Sequence, residues 1–388
     1  MYKSCDELCF KSKNLYNYAN YVQRQEFIKT SKIIKYKDLT FELKHSEPFK
    51  DLGSNSAQHT LKMLDKSWKS FFISIKDWSK NPSKYLGRPK LPKYKDKNGR
   101  HICVLTNWQS QIKDGYIYFA FKPLKPFNNM IKTNIKGKHL CSRIIPQGNC
   151  YIFEIVYEKE INDLKQLNNR IVGIDLGIDN FATLVNNIGV KPIVINGKVI
   201  KSMNQYYNKQ KALIQSDLKK RHDRHMSNKL LKLNMKRYNK IEYFLHCASK
   251  SVVEYCKGLD IDTVVIGLNK TWKQESNMSK TTNQNFIMIP YDNFTNKLRY
   301  KLEDVGINLI VNNESYTSGC SFLDNEEVGK DNYNKTRRVY RGLFVSNEGI
   351  KINADCNGGY NIIKKVFPKA FEVNGIEGVD LHPLRVNV

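Results

Sequence analysis

The sequence has no Cys-x-x-Cys pair, no long apolar run and too few acids to balance its bases. Its nine cysteines stand at positions 5, 9, 103, 141, 150, 247, 256, 320 and 356, a spacing from which no zinc ribbon or knuckle can be written. They read as reduced thiols of a reducing compartment. Cys5 and Cys9 share one helical face, which suits small buried apolar residues better than ligands. The longest apolar runs, such as 263–267 and 307–311, fall far short of the ~20 residues that span a bilayer. A mean hydropathy of −0.55 agrees, and no membrane partner is expected. The opening segment is mixed polar, with Asp6 and Glu7, so no signal peptide is expected and the cytoplasm is the expected location.

Against 37 Asp+Glu stand 64 Lys+Arg, a formal net charge of +27 over 388 residues. That length suggests two or three domains and is ample for a sizeable core. At 40% hydrophobic and 11% aromatic, the chain is not largely disordered. The charge points to a polyanion partner, usually nucleic acid. A Lys-rich, Asn-rich compositional bias is the alternative, but 22 Tyr and clustered basic runs accompany the charge.

Residues 5–80 read as helices. Leu15, Tyr18, Ala19, Val22 and Phe27 recur near a 3.6 period, as do Leu61, Leu64, Trp68, Phe71, Phe72, Ile75 and Trp78. The second stripe suits a core better than a base-stacking platform. Residues 80–100 change character: prolines at 82, 89 and 92 forbid one continuous helix, and basic residues dominate, with Tyr85 and Tyr94 interleaved. A phosphate-contacting loop presenting Lys90, Lys93 and Lys95 is expected, with a solvated linker as the alternative. Residues 101–160 carry short β-rich runs, with turn signals at Asp114-Gly115 and Gln147-Gly148-Asn149, which suggests a small barrel or open sheet.

Near residue 165 the pattern changes again. A near-continuous apolar strand over 170–176 ends at Asp175, with antiparallel neighbours expected over 181–187 and 192–195. Residues 202–257 read as helical and strongly basic, and Lys219, Lys220, Arg221 and Arg224 are candidate nucleic-acid contacts. Strands at 263–267 and 307–313 bracket a helix near 291–304, and a last helix starts near Asn357. The order βββ-α-β-α-β-α is that of the ribonuclease H fold.

A nuclease of that fold gathers carboxylates around two divalent ions, one serving the attacking water and one the leaving oxygen. Hard oxygen ligands select Mg²⁺ or Mn²⁺. Gly173-Ile174-Asp175-Leu176-Gly177-Ile178-Asp179-Asn180 supplies the central strand and its Asp, with glycines that would let a nucleic-acid backbone come close. Sugar-kinase-like ATPases share the G-x-D-x-G pattern. Asp355 stands at the mouth of the final helix, where an N-cap role is the alternative and both can hold together.

These residues resemble the TnpB (OrfB) family of transposon-encoded proteins, relatives of type V CRISPR effectors. The 173–180 segment is similar to the family's RuvC-I motif. Asp355-Cys356-Asn357-Gly358-Gly359-Tyr360-Asn361-Ile362 is similar to its RuvC-III motif, D-x-N-x-A-x-N-I. Ser12-Lys13-Asn14-Leu15-Tyr16-Asn17, Leu91-Pro92-Lys93-Tyr94 and Glu314-Ser315-Tyr316-Thr317-Ser318 also resemble family segments. The resemblance implies an α/β RuvC/ribonuclease H-like nuclease domain preceded by a helical recognition domain and a small wedge-like β-barrel. The expected bounds are 1–80 for the helical domain, 81–165 for the basic loop and barrel, and 166–388 for the nuclease domain with an insertion near 315–352. It also implies an RNA-guided, metal-dependent DNA endonuclease of bacterial or phage origin, with a guide RNA from a transposon end and double-stranded DNA as target.

Three departures stand out. The family's first strand is missing or a stub, so the barrel would lack an edge. The four-cysteine zinc motif would fall between Thr317 and Asp355, where only Cys320 stands, so no zinc is expected. The family's second acid would end the strand at 264–266, but Gly267 fills that slot. Glu314, ending the next strand, is the expected substitute, and Glu275 a weaker one. Catalysis and metal binding are therefore assigned to Asp175, Glu314 and Asp355, with two Mg²⁺ or Mn²⁺ ions. Asp324, Glu326 and Glu327 read as solvated loop charges, and Arg170 and Lys270 as phosphate contacts near the site. The rival reading is a nuclease-inactive RNA-guided DNA-binding repressor. A DNA-joining transposase is the weakest, because the eight histidines are scattered.

Overall fold

The computed structural model describes residues 1–160, 163–222, 225–269, 284, 286–372 and 378–388. The chain divides into two compact units, Met1–Glu160 and Ile161–Val388. Among the described residues, no helix is long and apolar enough to cross a membrane. Glu275, Arg224 and Lys270 lie outside the described residues.

The first unit opens with α1 (Tyr2–Thr30), α2 (Tyr36–Leu43), α3 (Glu47–Leu52) and α4 (Ser54–Lys80). One face of α1 buries Cys5, Leu8, Cys9, Leu15 and Ala19, and one face of α4 buries Ala57, Leu61, Leu64 and Trp68. Gly53, at φ +81°, turns the chain between α3 and α4. The aromatic stripe of α4 is core: Trp68 is fully buried against Phe27, Phe71 and Phe72. Strands β1 (Cys103–Thr106), β4 (Lys138–Gln147) and β5 (Cys150–Glu158) pair antiparallel as one sheet, and β2 (Ser110–Lys113) and β3 (Tyr116–Phe119) form a hairpin. Asp114 and Gly115 carry positive φ at its tip, the geometry a two-residue turn needs. The strands thus pair as a three-stranded sheet and a hairpin.

The segments expected as separate domains, 1–80 and 81–165, share one apolar core. Leu61 and Trp68 of α4 cluster with Cys103, Leu105, Ile117 and Ile144 of the strands. A sheet this small cannot cover its own apolar face, and α1 and α4 do so. The other face of α1 fastens the basic loop: Lys13 Nζ donates to the Lys97 carbonyl at 2.7 Å, Asn17 exchanges two bonds with Lys95, and Asn20 and Arg24 donate to the Pro92 carbonyl. Positions 13, 17, 20 and 24 share a helical face, so the Ser12–Asn17 motif acts as a clamp.

The second unit is built on a six-stranded sheet of order β10-β9-β6-β7-β8-β13. Its strands are β6 (Ile171–Leu176), β7 (Asn180–Asn186), β8 (Ile193–Asn196), β9 (Thr263–Gly267), β10 (Asn308–Asn312) and β13 (Leu384–Val386), while β11 (Leu343–Val345) and β12 (Lys351–Asn353) pair as a separate antiparallel hairpin. β9 runs parallel to β6 and β10, while β7 is antiparallel to β6 and β8. The helical stretch after β8 is two helices, α5 (Lys198–His222) and α6 (Asn228–Gly258), with Ser227 capping the second. α7 (Tyr291–Glu303) and α8 (Ala354–Val366) complete the set.

Period-2 alternation sorts β6 between two layers. Val172, Ile174 and Leu176 face the large core that includes α6 and α7. Ile171 belongs to the opposite core, which includes α8, and Asp175 shares that face. Gly173 and Gly359 make the contact close: a Cβ on Gly173 would stand 2.5 Å from the Gly359 carbonyl oxygen. Gly177 closes its own turn, since a Cβ there would meet the Asn180 carbonyl at 2.5 Å. These glycines therefore serve internal packing, where the sequence reading gave them to an approaching nucleic-acid backbone.

Candidate functional site

Asp175 stands at the C-terminal end of β6, the end of a parallel sheet where α/β proteins build sites. Asp355 stands in the first turn of α8; the Asn353 side chain, not Asp355, caps that helix, accepting from the backbone of Asp355 and Cys356. The Asp355 carboxylate is thereby left for the cleft, where it accepts from Asn180 Nδ2 at 2.6 Å.

Glu314 reaches the cleft from beyond β10. Ile174 pairs with Ile266, so Gly267 is the next position along β9, beside Asp175. Asn312 pairs with Gly267, and Glu314 follows two residues later. An added strand would set it back by about 4.8 Å, but its side chain leans over the glycine. A Cβ on Gly267 would lie 2.8 Å from Glu314 Oε2 and 3.0 Å from Glu314 Cβ. Glu314 thus occupies the space a side chain at 267 would need.

The three acids line one cleft of about 540 Å³ with Asp179, Asn180, Ser318, Arg338, Arg341 and Arg385. Burial, then the charges of Asp355 and Glu314, push the Asp175 carboxyl well above the usual carboxylate range, against the opposing charge of Arg338. Burial pushes Glu314 up to about 7, with Lys365 opposing. Arg338 lies 3.5 Å from Asp355, and Arg341 lies 3.0 Å from Asp179, whose carboxyl is held below its usual range despite burial by its hydrogen bond to Lys201 and by Arg341. Tyr291 donates its hydroxyl to the Gly177 carbonyl at 2.9 Å, bracing the turn beside Asp175.

Among the described residues, no three His, Cys, Asp or Glu side chains are drawn close enough to hold one metal ion. The donor chemistry of the cleft nevertheless fits a hard cation. All three ligand candidates are carboxylates, and Glu314 Oε2 is buried without a hydrogen-bond partner. Mutual repulsion that raises carboxyl pKa values is what a cation would relieve.

Other candidates fall elsewhere. Arg170 precedes β6, at the end opposite Asp175, and its guanidinium donates to the Leu259 carbonyl. The strand's own length carries it away from the site, which corrects its assignment there. Lys219, Lys220 and Arg221 are exposed on the last turns of α5, with Arg221 paired to Asp217 at 2.7 Å. Lys90, Lys93 and Lys95 border a groove of about 340 Å³ with Tyr16, Tyr94 and Ser67, Ser70 and Ser74 of α4. Asp324 and Glu326 are not solvated loop charges: both pair with Arg337, at 3.6 and 2.7 Å, and all three side chains are largely buried. The arginines of the cleft escaped sequence reading because nothing local marks them.

Comparison with known proteins agrees with this architecture. Residues 154–273 match the model of the OrfB_IS605 family, described as a probable transposase, and residues 291–362 match the Cas12f1-like TNB domain. A TnpB-like protein, ORF457 of Acidianus two-tailed virus, is 24% identical, covering 91% of this chain and 81% of that protein. The chain is similar to TnpB-like proteins and, within its last third, to the Cas12f1-like type V effectors. A cryo-EM structure of a Cas12f1–sgRNA–target DNA complex shares the fold, with a TM-score of 0.56 and 14% identity over 92% of this chain and 81% of that one. The second unit, with its mixed six-stranded sheet, has a RuvC-like fold.

Proposed function

We propose that the protein is an RNA-guided DNA endonuclease whose cleft hydrolyses a phosphodiester with Asp175, Glu314 and Asp355 holding two Mg²⁺ or Mn²⁺ ions. The observation that carries this reading is that three acids, from β6, α8 and the loop after β10, line one cleft, with Glu314 laid over Gly267. The likeness to TnpB-like proteins and the sgRNA and target DNA held by the Cas12f1 complex of similar fold support the guided part.

Bound divalent ions would supply water activation and charge neutralisation for in-line displacement. The chain's own residues do the rest. Asn180 fixes one oxygen of Asp355 and leaves the other toward Arg338. Arg338 and Arg341 bring positive charge to the cleft beside its carboxylates, where a backbone phosphate can be taken bidentately. Lys90, Lys93 and Lys95, held on the clamped loop, and Lys219, Lys220 and Arg221 on α5 would contact guide RNA and the guide–target duplex through phosphates. A transposon-end transcript is the proposed guide.

The test supplies purified protein with a guide RNA, a matched DNA duplex and Mg²⁺. Cleavage that requires the guide and the ion, and that Asp175→Ala abolishes without loss of guided binding, supports the proposal. Guided binding by a wild type that never cleaves refutes it.

A further inference from the structure

The Arg385 side chain enters the cleft from β13, a strand nothing in the sequence pattern announced. β13 runs parallel to β8, with Arg385 opposite Val194. One guanidinium nitrogen of Arg385 donates to Asn180 Oδ1 at 3.1 Å and another to Asn196 Oδ1 at 3.3 Å. Asn180 in turn donates to Asp355. Arg338 and Arg341 each have a carboxylate within salt-bridge reach, whereas among the described residues Arg385 has none. Its hydrogen-bond partners are neutral amides, so its charge is fixed in direction yet not neutralised. A guanidinium has five N–H donors, and two amide bonds leave the others for a ligand.

We propose that Arg385 is a substrate-phosphate residue of the cleft, taking a non-bridging phosphate oxygen of the bound DNA strand while steadying Asp355 through Asn180. The proposal rests on the nuclease reading for its place in a reaction, but not for its ligand, a nucleic-acid phosphate. A planar fork pinned on two sides loses little freedom on gaining a third partner, which favours arginine over lysine here. The same bonds make Arg385 a positioning residue toward Asp355.

The test has two arms, each run on wild type, Arg385→Gln and Arg385→Lys. The first measures binding of single-stranded oligodeoxythymidylate, without divalent ions, across a salt series. Losing one phosphate contact should lower the slope of log affinity against log salt by about 0.7. Gln should show that drop and Lys should keep the wild-type slope. The second measures guided cleavage, where Gln should lose ~10²-fold and Lys should recover about one decade, as for other fixed charge donors. A wild-type slope for Arg385→Gln overturns the proposal, and so does wild-type cleavage by that variant. Absence of cleavage by the wild type, with the slope change present, would remove the nuclease reading and leave the phosphate site standing. If Arg385→Gln fails to fold, Arg385→Lys still decides, because wild-type cleavage with the pinned fork removed overturns the proposal and a partial loss with an unchanged slope supports it.

Discussion

Gly267→Ala places one methyl where Glu314 lies. The added Cβ would stand 2.8 Å from Glu314 Oε2, 3.0 Å from Glu314 Cβ and 2.6 Å from Ile362 Cδ1. Comfortable carbon contacts begin near ~3.5 Å, so the carboxylate must retreat by roughly 0.7 Å and Ile362 by roughly 0.9 Å. Ile362 is fully buried on the inner face of α8, whereas the Glu314 side chain is only half-buried, so Glu314 gives first. A misplacement of about 1 Å at a reacting group can cost 10²-fold. Removing the charge outright by Glu314→Gln should cost ~10²-fold or more, about 2.7 kcal/mol of transition-state stabilisation. Guided cleavage by Gly267→Ala should therefore approach the Glu314→Gln rate, and the double variant should be little worse than either, because both act on one carboxylate. Gly267→Asp paired with Glu314→Ala, which returns the acid to β9, should recover part of the loss. Single-turnover cleavage with excess protein measures all four, with thermal melting to verify folding. Wild-type rates for Glu314→Gln, or strictly additive losses in the double variant, would refute the account of Glu314 as the acid that replaces position 267.

Four further outcomes are expected. His101 is buried, bonded to Ser12 and packed at a tilt against the Tyr16 ring, and burial together with the Lys95 charge lowers its pKa from 6.5 to about 4. Its folded-state pKa is the lower one, so protonation favours the unfolded chain: the stability is fully present above 6.5 and falls away between 6.5 and 4, by at most about 3 kcal/mol. The pH slope of denaturant midpoints over that window should flatten in His101→Asn, and an unchanged slope would contradict it. Purified protein should carry cellular RNA and release it steeply with salt, since phosphate contacts scale with counterion release; RNA-free protein with salt-indifferent binding would count against a guide. Elemental analysis should find no stoichiometric zinc, while Arg337→Met, which strands the Asp324 and Glu326 carboxylates, should cost about 2 kcal/mol and open 315–352 to protease; a zinc per chain, or protease resistance, would show that another device holds the insertion.

Asp175 was legible because a buried parallel strand announces itself as an apolar run, and a lone acid at its end has few structural reasons to be there. The helices were legible from their stripes, and Gly267 from a motif with one acid missing. Register decided the rest. That Glu314 folds back across β9 depends on side-chain geometry two residues past a strand, which no pattern encodes. Strand β13 is three residues long, too short for alternation to register. Arg338, Arg341 and Arg385 are ordinary basic residues in a chain rich in them, and only tertiary contact sets them apart. Arg170 was misplaced because strand polarity, evident in the sequence, was not followed to its consequence: five residues along β6 separate the two ends.

Moving an acid from a strand to a loop removes the hydrogen-bonded ladder that would hold it, so another scaffold must supply precision. α8 does this. Its first turn presents Asp355, and Asn357 and Asn361, one turn apart, lie on one face. Asn357 donates to the Cys320 carbonyl and accepts from the Phe322 amide, and Asn361 donates to the carbonyls of Thr317 and Cys320. Thr317 bonds the Glu314 carbonyl at 2.8 Å, and Lys365 reaches the carbonyls of Asn313 and Ser315. Phe322 stacks on Tyr360 from above, at 4.7 Å between ring centres. One helix thus fixes two of the three acids, and Gly173 against Gly359 fixes that helix on the strand bearing the third. The motif's asparagines are accordingly positioning residues for Glu314. If Glu314 is the proposed third ligand, a loop glutamate held at both flanks by a rigid helix does the work of a strand acid, and a glycine at 267 is compatible with catalysis.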